Sequence, residues 1–536
     1  MDAIRPTRWL CGLGLVLLAA WTAPGAAGTD SSSTADHGRF EALSGPFEDG
    51  PAVTRACLEC HTEAARQVQE SIHWTWEYIH PVTDQRLGKR HVVNNYCGSI
   101  TMNWARCTSC HAGYGWEDAD FDFSAEDRVD CLVCHDTTTD YTKWPTGAGH
   151  PLYEDIRTDG QLIEAPDLAV IAQNVGPTSR HTCGQCHFSG GGGPGVKHGD
   201  LDDTLIDPDK QLDVHMASDG LNYDCATCHE FDAHQQRGSR YQMIAKSEAG
   251  IAVPGRPNER PACESCHGRA PHDSDFGNRL NTHVERIACQ TCHIPTFARG
   301  GRATITWWDW SQAGRLDDDG EPVIVREDGQ VVYHGKKGAF RWEEDVVPDY
   351  RWFDGTVRYT LLGERIDPDG VVELNPISGA AADPASRIWP FKVMRGIQPY
   401  DSGNNVLVIE HLYGKDDSAF WRNFEWGPAI EAAMAEAKRI GQTDIDYSGE
   451  YAFTETEMLW PLSHMVAPAE DSLGCSDCHS ENGRLASLGG FHLPGRDVFS
   501  GLDRIVAWLL GLSLLGVALH AAARIGFAQR RRSGKP

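Results

Sequence analysis

A mainly α chain with sparse regular structure, one β-containing insert and a C-terminal transmembrane helix is the fold class this sequence predicts. Three observations predict it: eight copies of Cys-x-x-Cys-His, a motif-free stretch with strand-like patterning from 300 to 460, and an apolar run near each end. The motifs begin at Cys57, Cys107, Cys131, Cys183, Cys225, Cys263, Cys289 and Cys475 and use 16 of the 18 cysteines. Each supplies two thiols for the vinyl groups of a c-type haem and a histidine for its iron. A zinc ribbon or a disulfide framework would explain the cysteine pairs. Neither explains the trailing histidine. The chain therefore reads as a multihaem cytochrome c array with eight c-type haems. In such an array porphyrins replace much of the side-chain core, so 536 residues need little secondary structure.

The attachment thiols are Cys57 and Cys60, Cys107 and Cys110, Cys131 and Cys134, Cys183 and Cys186, Cys225 and Cys228, Cys263 and Cys266, Cys289 and Cys292, and Cys475 and Cys478. The proximal iron ligands are His61, His111, His135, His187, His229, His267, His293 and His479. A second strong ligand makes a haem an electron relay, whereas a labile sixth position admits substrate. Setting aside His37 in the leader and His520 in the apolar run, fourteen histidines remain as distal candidates. His181, His215 and His283 precede a motif, His234 and His272 follow one, His73 lies on an expected helix, and His464 precedes the last motif. These seven are the expected distal ligands, with His80, His150, His198 and His411 in reserve. Seven closed haems leave one for chemistry. The loop Gly190 to Leu201, rich in glycine and carrying Lys197, permits close backbone approach to a large planar cofactor. A desolvated lysine binds iron as a free amine.

Residues 1–28 read as a signal peptide, with Arg5 and Arg8 before an apolar stretch and small residues after it. Cys11 leaves with that segment, so Cys97 is the one thiol no haem claims. Residues 29–50 are a loose leader, 51–299 a seven-haem domain, 300–460 a haem-free insert with strands and a helix, and 461–500 an eighth-haem segment. Residues 505–523 are long enough for one membrane span, and 524–536 form a basic tail that belongs on the cytoplasmic side. The haem domain is thus placed in the periplasm, anchored to the inner membrane. In the insert, Asp328-Gly329 between apolar runs marks a hairpin, and Pro428 to Lys438 carries an alanine-rich helical pattern. The formal charge of −28 excludes nucleic acid as a partner. A small anion then needs a locally basic approach.

The order of these features resembles the octahaem tetrathionate reductase family, distantly related to hydroxylamine oxidoreductases. The resemblance rests on seven clustered motifs and one remote, His73-Trp-Thr-Trp76, Asn94-Asn-Tyr-Cys97, His111-Ala-Gly-Tyr-Gly-Trp116, Asp130 to Thr138 and the Lys197 loop. It implies a periplasmic array in which one haem has a lysine as distal ligand and a cysteine and an asparagine face the substrate cavity. Carried onto this chain, Lys197 is that ligand, and Asn94 and Cys97 are pocket residues near the haem of Cys107, Cys110 and His111. Lys143 is the competing lysine. Pentahaem nitrite reductases replace a proximal histidine with lysine, but all eight motifs here end in histidine. The C-terminal span is not something the resemblance supplies.

The expected function is multi-electron reduction of tetrathionate, or of nitrite or hydroxylamine, with a quinol-linked or cytochrome electron donor and homo-oligomer formation left open. The alternative is a non-enzymatic electron conduit between the membrane quinol pool and periplasmic partners.

Overall fold

The computed structural model describes residues 35–158, 160–248, 250–251, 261–273, 277–497 and 500–534. The expected signal peptide, Cys11 and the start of the leader lie outside these residues. Most motifs close a short helical segment, as in Leu132–His135, Arg180–His187, Cys225–Cys228, Glu264–His267, Cys289–His293 and Cys475–Cys478. Residues three apart share a helix face, so one turn presents both thiols of a motif to the same side.

The insert folds into a nine-stranded sheet. Its strands are β1 (Thr304–Asp309), β2 (Ile324–Glu327), β3 (Gln330–His334), β4 (Gly338–Glu343), β5 (Asp349–Phe353), β6 (Val372–Glu373), β7 (Arg387–Asp401), β8 (Val406–Leu407) and β9 (Tyr451–Pro461). The order is β6-β9-β7-β1-β4-β3-β2, and β5 and β8 also pair with β7. The expected hairpin joins β2 to β3. Asp328 and Gly329 both take positive φ, 47° and 84°, which suits the right-handed twist of the two strands. Strand β7 is the hub: it runs antiparallel to β9 from Phe391↔Pro461 to Asp401↔Tyr451 and parallel to β1 at Arg395↔Trp307. Its sequence is nearly continuously buried rather than alternating, as befits a strand covered on both faces.

Helix Trp426–Arg439 buries Trp426, Ala429, Ile430, Ala433, Met434 and Ala437, a three-and-four spacing that puts one face on the core. The core contains Trp308, Trp389, Phe391, Met394, Met458 and Trp460. A second helix, Ser500–Ser533, contains an apolar span from Arg504 to Arg531, and none of that span is buried in the protein.

Helix exceeds strand only modestly, 28% against 19%, so the expected mainly α class describes the protein loosely. The domain helices are mostly single turns fixed by motif geometry. The aromatic and β-branched residues of the insert pair into one sheet instead of isolated hairpins.

This sheet also holds the glycine-rich loop. Ile305 N–H donates to Gly195 O at 2.9 Å, and Thr304 Oγ1 donates to the same oxygen at 2.7 Å. Gly195 has φ +69°, and a Cβ there would meet Ala303 O at 2.2 Å, so glycine is required for the contact. The buried Lys392 ammonium donates to Thr304 Oγ1 at 2.6 Å and to the carbonyls of Val196 and Lys197.

Candidate functional site

Seven proximal histidines each face a second histidine ring. The pairs are His61 with His37, His187 with His73, His135 with His234, His267 with His215, His229 with His464, His293 with His272, and His479 with His283. Their ring centroids are 5.9 to 6.4 Å apart. Two metal–nitrogen bonds of about 2 Å, plus the depth of each ring behind its nitrogen, fill such a gap.

The rings are also oriented for a metal. His135 Nδ1 donates to Gly176 O, His229 Nδ1 to Arg237 O, His283 Nδ1 to Arg279 O and His479 Nδ1 to Pro494 O, at 2.8 to 3.1 Å. His234 and His272 use Nδ1 on Gln67 Oε1 and Asn281 Oδ1, and His464 on Asp200 Oδ2. A proton fixed on Nδ1 leaves the Nε2 lone pair for iron. These residues therefore fit the haems that the motifs imply.

The motif thiols fall into a connected order. Cys57 lies against Cys131, Cys110 against Cys186, Cys183 against Cys225, and Cys263 against Cys289. Cys134 is close enough to Cys183, Cys228 to Cys263, and Cys292 to Cys478 to act electrostatically on one another. Numbered along the chain, the motifs thus run 1-3-4-5-6-7-8, with motif 2 attached to motif 4.

Motif 2 is the exception. The His111 ring sits in a cage of Trp74, Trp76, Trp116, Phe121 and Phe123. Its Nε2 lies 2.7 Å from Trp74 O. A carbonyl only accepts, so Nε2 carries the proton and has no lone pair to offer. Burial lowers the ring's pKa to about 3, which keeps it neutral. Gly113 makes room for the cage, since a Cβ there would meet Trp74 at 2.5 Å. The expected proximal ligand His111 therefore holds Nε2 on Trp74 O and leaves Nδ1 without a hydrogen-bond partner.

Beside it lies Lys143. Its Nζ donates to the carbonyls of His111 and Gly113, at 2.5 and 3.2 Å, and pairs with buried Asp130 at 3.0 Å. Lys143, Lys197, Asn94, Cys97, Cys107 and Cys110 all line one cavity of about 1530 Å³, which also reaches motifs 1, 3 and 4. The Lys197 amine stands 5.0 Å over the Trp460 ring, and burial drives its pKa well below that of an ordinary lysine, aided by Arg240 and Lys89. Asn94 spends its side chain on the local turn: Oδ1 accepts from Tyr96 and Cys97 N–H, and Nδ2 donates to Gly98 O. It positions Cys97, whose thiol points to Gly191 O at 3.6 Å.

Cations converge here in a chain that is strongly acidic overall. Lys89 donates to Cys107 O at 3.1 Å, and Arg106 stands over Trp421. Arg240 stands over Trp460 and has a buried, unpartnered Nη1. Burial raises the Cys97 pKa, and Lys337, Arg106 and Lys89 oppose that shift.

Against the Cys97 turn lies Glu410, with Oε2 2.0 Å from where a Gly98 Cβ would stand and with no hydrogen-bond partner. Burial raises its carboxyl to about 8, against about 4.3 in an unfolded chain. Between these values the native state keeps a proton that the unfolded state has released. Stability therefore falls as pH rises through that window, by at most about 1.4 kcal/mol per pH unit. Glu410→Gln is expected to flatten this slope; urea midpoints from pH 5 to 8 that decline as steeply as in the parent would refute it.

Six of the seven expected distal histidines, His73, His215, His234, His272, His283 and His464, stand opposite a proximal one. His181 does not. It is exposed on its helix, and His37, set aside with the leader, fills the remaining place opposite His61. Proximity in sequence to a motif was the misleading sign. Among the reserves, His80 caps the turn at Val82 and Thr83, His150 bonds Tyr153, His198 packs on Trp460, and His411 lies between Met102 O and Asp416. The cationic set of Lys89, Arg106, Arg240 and Lys337 carried no motif that sequence reading would find.

Facing histidine pairs, single-turn attachment motifs and their connected order define a c-type cytochrome with multiple haems. The comparisons agree. Residues 305–482 match the family described as "Cytochrome c bacterial", and residues 209–301 match "Cytochrome c7 and related cytochrome c". An uncharacterized protein of Archaeoglobus fulgidus is 24% identical over 248 residues, 38% of this chain and 82% of that protein. The crystal structure of octahaem cytochrome c from Shewanella oneidensis is 42% identical with a TM-score of 0.72, covering 84% of this chain and 95% of that one. The chain belongs to that family, the octahaem cytochromes c that its motif order resembles. The family match at 305–482 also makes the sheet part of the shared architecture rather than a private addition.

Proposed function

We propose that the chain is a membrane-anchored periplasmic octahaem reductase that acts on tetrathionate, or on nitrite or hydroxylamine, at the haem of Cys107 and Cys110. The observation that carries this reading is the convergence of Lys89, Arg106, Arg240 and Lys337 on the half-buried Cys97 thiol and its cavity, beside the one motif whose histidine is turned away. Buried cations with few anionic partners draw in a small anion and hold it.

Bound haem would supply one-electron steps at iron, with axial ligands tuning its potential. In the seven other motifs the facing histidines would hold the iron between them and make those haems relays. At motif 2, Lys143 holds the His111 and Gly113 carbonyls as an ammonium paired with Asp130, and Lys197 approaches from the glycine-rich loop. Lys197, which burial favours as the free amine, is the strong donor the cavity would offer to iron. Cys97 and the cations orient the anion, and the aromatic cage keeps water from His111. Reduction of tetrathionate takes two electrons, breaks one S–S bond and gives two thiosulfates. Nitrite and hydroxylamine also need protons.

The exposed apolar helix followed by Arg524, Arg530 and Arg531 supports an inner-membrane anchor with the haem domain in the periplasm. A quinol-linked or cytochrome donor then supplies electrons.

The test is to add each substrate separately to the reduced protein and follow haem reoxidation. Reoxidation well above the buffer rate is expected with at least one of them. If none acts and no small ligand alters a haem spectrum, the conduit reading replaces the enzyme. The connected order of the motifs suits that second reading equally.

A further inference from the structure

Motif 8 is tied to the start of the membrane span. His479 Nδ1 donates to Pro494 O at 3.1 Å, and a Cβ on Gly495 would stand 2.4 Å from His479 O. Leu485 and Leu493 are buried with Ile388, and Phe491 meets Trp352 edge to face at 5.6 Å. Arg496 donates to the carbonyls of Leu485 and Phe491 and to the Asp497 carboxylate. The chain is thus fastened to the domain as far as Asp497. From Pro494 to Arg504, where the span begins, six residues in any conformation and four of helix reach no further than about 27 Å. The His283–His479 pair is therefore held near the bilayer surface however the helix tilts.

That pair is also one end of the motif order, and His37–His61 is the other. Between residues 505 and 523 the polar side chains are Ser513, which donates to Leu509 O in its own helix, and His520. The span is otherwise apolar, and its large side chains Trp508, Leu509, Leu510, Leu512, Leu514 and Leu515 stand exposed. It suits contact with lipid, and so a donor dissolved in lipid.

We propose that a reduced quinone of the bilayer delivers electrons at the His283–His479 site, and that they pass through motifs 7, 6, 5, 4 and 2 in that order to an oxidised substrate in the cavity beside Cys97. The proposal rests on the membrane-anchored reading above. The quinol loses two electrons and two protons: its two O–H bonds break, the protons go to water, and the electrons pass singly to ferric iron, giving quinone.

The test uses the full chain in phosphatidylcholine vesicles with a reduced naphthoquinone. A methionine ligand gives a haem a distinguishable spectrum and a higher potential, so His283→Met and His37→Met label the two ends alike. With quinol, the labelled haem of His283→Met is expected to be reduced at least tenfold faster than that of His37→Met. Equal rates or the opposite order overturn the proposal. Should either variant fail to mature, a fifteen-residue helical spacer inserted after Ser500 is expected to slow quinol-driven haem reduction at least tenfold while leaving reduction by dithionite unchanged; an unchanged quinol rate overturns the proposal. Flotation with the vesicles checks the anchor separately. A chain that floats but is reduced first at the His37 end keeps the anchor and loses the proposed site, whereas one that does not float loses both.

Discussion

Replacing Lys143 with alanine is expected to lower turnover at least roughly a hundredfold, at the upper end of what supporting groups contribute at metal sites. It should also alter one haem spectrum and leave the other seven unchanged. The reason is the local geometry: the His111 Nε2 proton is engaged by Trp74 O, which leaves Nδ1, without a hydrogen-bond partner, as the ring's one lone pair. Lys143 holds the carbonyls of His111 and Gly113 while paired with Asp130, so its loss frees the turn that carries motif 2. Lys197→Ala should act from the loop side, changing the same haem and weakening anion binding as well. The two variants are separated by optical and paramagnetic spectra and by the KM-against-kcat split. Spectra identical to the parent in both variants would remove lysine from iron. Lys143→Ala also strands Asp130, whose other partners are the hydroxyls of Tyr114 and Tyr141. Parent-like spectra of the seven relay haems are therefore the control for a fold that has held.

Arg387→Ala is expected to destabilise the domain by about 3–5 kcal/mol, the cost of leaving one charge of a buried pair alone. Arg387 stands at the start of β7 and contacts the Glu264 carboxylate, both side chains being 5% exposed or less. Glu264 lies inside motif 6, between its two cysteines. The pair therefore fastens the middle of the proposed electron path to the hub strand of the sheet. Urea or thermal midpoints measure the loss. Replacing both partners, with Arg387→Met and Glu264→Gln, should recover much of it, because apolar or neutral groups of similar volume leave no unpaired charge. A double variant no more stable than Arg387→Ala would show that the pair acts through shape rather than charge.

Both predictions depend on features unequally legible in the sequence. The motifs, the hairpin at Asp328-Gly329, the helix from Trp426 and the apolar run after Arg504 are local patterns, and the structure contains each of these elements. Local pattern failed where long-range contact decides. His181 lies two residues before Cys183 yet points outward, whereas His37, 24 residues before its partner His61, faces it. The family resemblance places Asn94 at the substrate cavity, which it lines, while its amide is bonded to the backbone of its own turn.

The sequence by itself determined the cofactor chemistry, because covalent attachment and iron binding are written as five adjacent letters. It also determined the site's candidate thiol, because Cys97 is the cysteine left over once the haem motifs and the leader are counted. Only the tertiary structure decided which histidines face one another, in what order the motifs touch, and that motif 2 has its histidine turned into an aromatic cage. Those outcomes depend on side chains far apart in the chain competing for one nitrogen or one carbonyl, and a linear pattern does not record who wins. The gathering of the basic residues 89, 106, 240 and 337, with the desolvated Lys197 amine, near Cys97 belongs to the same class. Each is an ordinary surface-type residue in the sequence, and only the fold brings them half-buried to one cavity.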